Sequence, residues 1–171
     1  NYVAFRNFVE MGFTEDEVKA SITDKGYEVL GGPDDQGEVK MRSARLSDYW
    51  PNPFPNDKAA AAVNNGKAPP DLSLMAKARP NGPDYIYNLL TRYMDSTEEN
   101  LKKLHIDAEP DSVVLNAVFP GNVIAMASPL NGDDVEYLDG TPTTIEQEAR
   151  DVTAFLMWTA EPKLEERKSM G

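Results

Sequence analysis

The sequence predicts a mainly α domain of short helices and long loops, with one small β hairpin. Three observations predict it. Helix-start signals recur: Thr14-x-x-Glu17, Ser96-x-x-Glu99 and Thr144-x-x-Gln147 each set a capping hydroxyl three residues before a carboxyl or amide. Thirteen prolines and eleven glycines cut the 171 residues into short segments. Tyr27-Glu28-Val29-Leu30 and Val39-Lys40-Met41 flank the turn-rich Gly31-Gly32-Pro33-Asp34-Asp35-Gln36-Gly37, as a loose hairpin requires.

Each element follows from local chemistry. Behind Thr14, with Phe13 and Val18 spaced as a hydrophobic staple, a helix should run to about Asp24. After the hairpin, Asn56 can cap the alanine helix 57–63, which Gly66 ends. Pro69-Pro70 should open a helix over 71–78, because proline is tolerated in a first turn. Asn81-Gly82 breaks that helix, and Pro83 opens another over 85–94. The box at Ser96 predicts a small helix over 97–104. Short strands are expected at 113–118 and 135–137. The last helix should start at Thr144 and stop before Pro162. No repeats or low-complexity tracts occur, and the chain reads as one domain.

The last helix carries Ile145, Ala149, Val152, Leu156 and Trp158, with Phe155 alongside, as a broad apolar face. Such a face must be buried against something. The expected partner is a segment outside residues 1–171, as the fold of the family resembled by the motifs that follow implies, with the early helix around Val18 and Ile22 as the alternative. On the first reading, residues 1–171 alone would be poorly stable.

Composition narrows the function. The net charge of −12 argues against nucleic acid as a partner and suits a basic protein. Acid clusters lie at Glu15-Asp16-Glu17, Asp34-Asp35, Glu98-Glu99 and Asp133-Asp134, and each has a plainer reading as solvated surface. With no cysteine, disulfides, zinc–thiolate sites and thiol catalysis are excluded. The lone His105 has no evident triad partners, and neither a P-loop nor a dinucleotide fingerprint is present. No apolar run approaches the ~20 residues that span a bilayer.

The most telling segment is Phe119-Pro120-Gly121-Asn122-Val123-Ile124-Ala125-Met126-Ala127-Ser128-Pro129-Leu130. Prolines at both ends fix φ, and Gly121 permits a turn. The frame presents one thioether, a soft neutral ligand suited to haem iron. The plainer reading is a methionine filling a core gap.

Other motifs join it in order. They are Pro51-Asn52-Pro53-Phe54-Pro55-Asn56, Asn64-Asn65-Gly66 with Pro69-Pro70-Asp71-Leu72-Ser73, Asp139-Gly140-Thr141-Pro142-Thr143-Thr144, and Trp158-Thr159-Ala160-Glu161-Pro162. Together with the Met126 frame, this order resembles cytochrome c1, the haem-bearing subunit of the quinol–cytochrome c oxidoreductase. The resemblance runs nearly end to end and is weak over 95–117.

The resemblance implies a c-type cytochrome domain, here without its haem-attachment segment and membrane helix. It makes Met126 an axial ligand of haem c and sets Arg79 at the haem propionates, where a guanidinium fork suits a carboxylate. Tyr85, six residues on, would pack at the haem edge. Asn65, Pro69 and Pro70 would wall the haem crevice, a proline carbonyl accepting from the axial imidazole. The plainer readings are a surface salt bridge for Arg79, core packing for Tyr85 and helix initiation for the prolines. The family's Cys-x-x-Cys-His motif has no match, and His105 does not fall at the axial position. Attachment and the opposite histidine are therefore expected from outside residues 1–171.

The implied function is electron transfer from the Rieske iron–sulfur protein to soluble cytochrome c. The implied partners also include cytochrome b and the other subunits of a dimeric respiratory complex III. The expected location is the mitochondrial inner membrane, on the intermembrane-space side. The competing reading is a haem-less interaction module derived from cytochrome c1.

Overall fold

The computed structural model describes residues 2–170. The chain falls into two compact units, Asn1–Leu74 with Trp158–Gly171, and Met75–Met157.

The first unit begins with a 3-10 helix, Phe5–Met11, followed by α1, Glu15–Asp24. The capping box forms as predicted. The Thr14 N–H donates to Glu17 Oε2 at 2.7 Å, and the Glu17 N–H donates to Thr14 Oγ1 at 3.2 Å. Phe13 turns its ring edge-on to Phe8 and stays half exposed, whereas Val18 is buried. β1 (Glu28–Pro33) and β2 (Val39–Ser43) form the expected antiparallel hairpin. Leu30 pairs with Met41, and the register slips between Leu30 and Pro33. Phe5, Val18, Ile22 and Ala44 form the core, with Phe8, Tyr27, Val29, Leu46 and Trp50 packed around it. Val18 and Ile22 thus spend their apolar face on the 3-10 helix and the chain after the hairpin. Trp158 reaches the same neighbourhood, its ring centroid 5.3 Å from that of Phe8.

α2 is Asp57–Val63, capped by Asn56, whose side chain accepts from the Ala59 N–H at 2.9 Å. The next helix is shorter than expected. Only α3, Met75–Ala78, forms, and 71–74 do not join it. Asp71 Oδ1 accepts from both the N–H and the hydroxyl of Ser73, at 2.8 and 2.6 Å. This local side-chain turn competes with helix for the same backbone group.

In the second unit, α4 runs Gly82–Thr91 rather than to residue 94. Tyr93–Met94 instead forms β3, because a strand partner is available. β4 (Val114–Asn116) lies between β3 and β5 (Val123–Ile124), antiparallel to both. α5 is Glu98–Lys103, and its cap is Thr97, whose hydroxyl accepts from the Asn100 N–H, not Ser96. No strand forms at 135–137, where the Thr143 hydroxyl donates to the Val135 carbonyl at 2.6 Å. Ile86, Leu90, Leu101, Leu115 and Ile124 are buried.

α6 runs Ile145–Ala160, and the Gln147 N–H donates to Thr144 Oγ1 as expected. Ala149 and Leu156 are buried, but Val152 is 37% exposed. The apolar face is therefore only partly covered. A final helix that the sequence reading did not anticipate, α7, spans Leu164–Met170. The architecture is mainly α with short helices, loops and a small hairpin, as predicted. Among the described residues no helix is long and apolar enough to cross a membrane.

Candidate functional site

The segment carrying Met126 is built on Asn116, which is fully buried. Its amide nitrogen donates to the Leu89 carbonyl on α4 at 2.8 Å. Its Oδ1 accepts from the N–H groups of Val118 and Phe119 at 3.0 and 3.1 Å. One amide thus ties the end of a helix to the start of the loop. Gly121 and Asn122 then both take the left-handed conformation, and the Asn122 N–H closes the turn on the Phe119 carbonyl at 2.8 Å. The turn feeds β5, whose Ile124 is buried.

Met126 lies two residues beyond β5 and is 42% exposed. It does not sit as a core filler. Its backbone carbonyl accepts from the Tyr93 hydroxyl at 3.2 Å. Burial pushes the Tyr93 phenol pKa up, which keeps the donor proton in place.

Arg79 follows α3 directly and is exposed. Among the described residues its guanidinium has no ion-pair partner. Tyr85 is half-buried on α4. What sets these two residues is Gly82, the first residue of α4 and buried. Its N–H donates to the Arg79 carbonyl at 3.0 Å, and a Cβ there would lie 1.8 Å from the Ala76 carbonyl oxygen.

Asn65, Pro69 and Pro70 belong to the first unit and are exposed. Asn65 is left-handed at φ 51°, a conformation asparagine tolerates. The two prolines do not initiate a helix, since α3 starts only at Met75. His105 is an exposed, left-handed residue just past α5.

The acid clusters carry local structure. Glu17 caps α1, and its pKa is lowered by the Thr14 N–H and hydroxyl. Asp34 closes the hairpin turn, accepting from the Gln36 and Glu38 N–H groups and from Lys40. Glu98 pairs with Lys102 one turn on, and Asp134 accepts from Asn131. The side chains of Asp35, Glu99 and Asp133 are exposed and have no such partner among the described residues.

Sequence reading missed Tyr93 and Asn116. Tyr93 falls inside the helix predicted over 85–94, and its bond crosses 33 residues. The one local signal was Asn116, a polar residue inside an apolar strand pattern.

The chemistry of these donors suits a haem. An uncharged thioether at the surface of a pinned loop can reach an iron, and a free guanidinium can meet a carboxylate. Among the described residues no three His, Cys, Asp or Glu side chains are grouped to hold a metal ion. Nor does the chain contain a cysteine for covalent attachment.

The model of the cytochrome C1 family matches residues 1–171. Cytochrome c1 of Rhodospirillum rubrum is 46% identical over 99% of this chain and 65% of its own length. The mitochondrial cytochrome c1 haem protein of Schizosaccharomyces pombe is 46% identical, over 100% of this chain and 53% of its own. That of Saccharomyces cerevisiae is 47% identical, over 99% and 52%. The chain thus spans about half to two thirds of the length of these relatives. Identity of this extent over the whole chain, with the Met126 frame inside it, means that the chain belongs to the cytochrome c1 family.

Proposed function

We propose that residues 1–171 form the haem domain of an electron-transfer subunit of a quinol–cytochrome c oxidoreductase. In this reading the subunit takes one electron from the Rieske iron–sulfur protein and passes it to soluble cytochrome c. It lies beside cytochrome b in the dimeric complex, on the intermembrane-space side of the mitochondrial inner membrane. The names of the two yeast relatives support the mitochondrial assignment.

The carrying observation is Met126, exposed on a loop held before it by Asn116 and at its own carbonyl by Tyr93. When bound, a c-type haem supplies the one-electron iron couple. Met126 would hold the iron through its thioether, a soft acceptor that would favour the reduced state. Arg79 offsets propionate charge. Tyr85 would cover the haem edge, and the family resemblance gives Asn65, Pro69 and Pro70 the crevice wall. Covalent attachment would need cysteines from outside residues 1–171, and the second iron ligand would be a histidine from there as well. The absence of cysteine here favours one competing reading, a haem-less interaction module.

The test uses the full-length protein. Its visible spectrum should show a c-type haem, and Met126→Leu should lower the midpoint potential. Protein without haem would establish the interaction-module reading. A haem protein whose potential ignores Met126→Leu would remove the ligand assignment.

A further inference from the structure

The loop around Met126 is unequally anchored. Before Met126, Asn116 and its neighbours hold the turn, and Ile124 is paired to Val114 in the sheet. After Ile124 the sheet ends. Among the described residues, one hydrogen bond from elsewhere in the chain reaches residues 126–130, and it is the Tyr93 hydroxyl on the Met126 carbonyl, at 3.2 Å. The other bond recorded there is internal, from Ser128 Oγ to the Leu130 carbonyl. Pro129 lacks an N–H, which removes another chance of pairing.

The sheet explains why a tyrosine does this. β3 and β5 flank β4, so their backbones are two strand spacings apart, roughly 10 Å. Tyr93 itself pairs with Asn116 across β3 and β4. A rigid side chain with a terminal donor can cross that gap, and phenylalanine would keep the ring but lose the donor.

From this asymmetry, and resting on the assignment of Met126 as a haem ligand, we infer that Tyr93 is the positioning residue that holds the Met126 backbone at the reach its sulfur needs. Iron–thioether bonding depends on how well the ligand is held in place. Without the bond, residues 126–130 gain freedom, and an external ligand displaces the sulfur more readily. One neutral hydrogen bond sets the scale, about a five-fold change in equilibrium.

The experiment uses the haem-loaded full-length protein with free imidazole as the competing ligand. It reads the weak sulfur-to-ferric-iron charge-transfer band and the apparent imidazole affinity. Tyr93→Phe should weaken the band and bind imidazole about five-fold more tightly, with the fold intact by circular dichroism. Met126→Leu is the reference and should abolish the band. If Met126→Leu leaves band and affinity unchanged, the ligand assignment itself fails. If Met126→Leu abolishes the band while Tyr93→Phe matches the wild type in both, the positioning role is overturned and the ligand assignment stands. Should Tyr93→Phe fail to fold, 4-fluorophenylalanine at position 93 keeps the ring and fills the hydroxyl's place without a donor. Imidazole should again bind about five-fold more tightly, and wild-type affinity would overturn the inference.

Discussion

The carbonyl oxygen of Ala76 occupies the place where a side chain on residue 82 would begin: a Cβ on Gly82 would stand 1.8 Å from it. The neighbour is backbone, so no rotamer change can relieve the clash. α3 and α4 meet at this point, with Arg79 between them and Tyr85 just beyond.

Gly82→Ala should therefore destabilise the protein by about 3 kcal/mol, by overpacking. Denaturant unfolding followed by circular dichroism measures it. A loss below 1 kcal/mol would show that the α3–α4 approach is not obligatory.

Asn116→Ala should cost a similar amount, about 3 kcal/mol. It strands the Leu89 carbonyl and the N–H groups of Val118 and Phe119, all half-buried around the space left by the fully buried side chain. Hydrogen exchange should show faster loss of protection at Val118 and Phe119 than in α1, because the damage is local.

Arg42 grips Asp48 with both nitrogens, at 2.6 and 2.8 Å, and the Arg45 N–H adds a third bond at 2.7 Å. Arg42, with the Arg45 N–H, holds the Asp48 carboxyl pKa down at about 2. The folded pKa lies below the unfolded one, so this stabilisation is fully present above the unfolded pKa and is lost as pH falls through about 2. Asp48→Asn should cost about 1 kcal/mol near neutral pH, allowing for solvent screening. Melting curves of variant and wild type should converge between about pH 4 and pH 2. A constant gap across that window would count against the pairing.

Asp35, Glu99 and Asp133 are the cluster members whose side chains are free of local structural work among the described residues. In the proposed electron transfer to a basic cytochrome c, neutralising them should slow association at low salt. The effect should fade once the Debye length shrinks to ~8 Å at physiological ionic strength. If all three variants keep the wild-type salt dependence of the electron-transfer rate, these acids serve only solubility.

What residues 1–171 determined by themselves was local. Thr14 with Glu17, Asn56 and Thr144 marked helix starts because a cap is decided by one side chain and a backbone N–H within three residues. The hairpin and the Met126 frame were legible for the same reason, since proline and glycine act on their own φ. The motif order carried the family, because it depends on sequence spacing alone. Tertiary structure decided the rest. The segment at Tyr93–Met94 became a strand because β4 was there to pair with it, although its own pattern continued a helix. Residues 135–137 had a strand-like pattern and no partner, so they formed none. The hold of Tyr93 on Met126 needed three strands in a particular order, a relation between residues 33 apart that no local rule encodes.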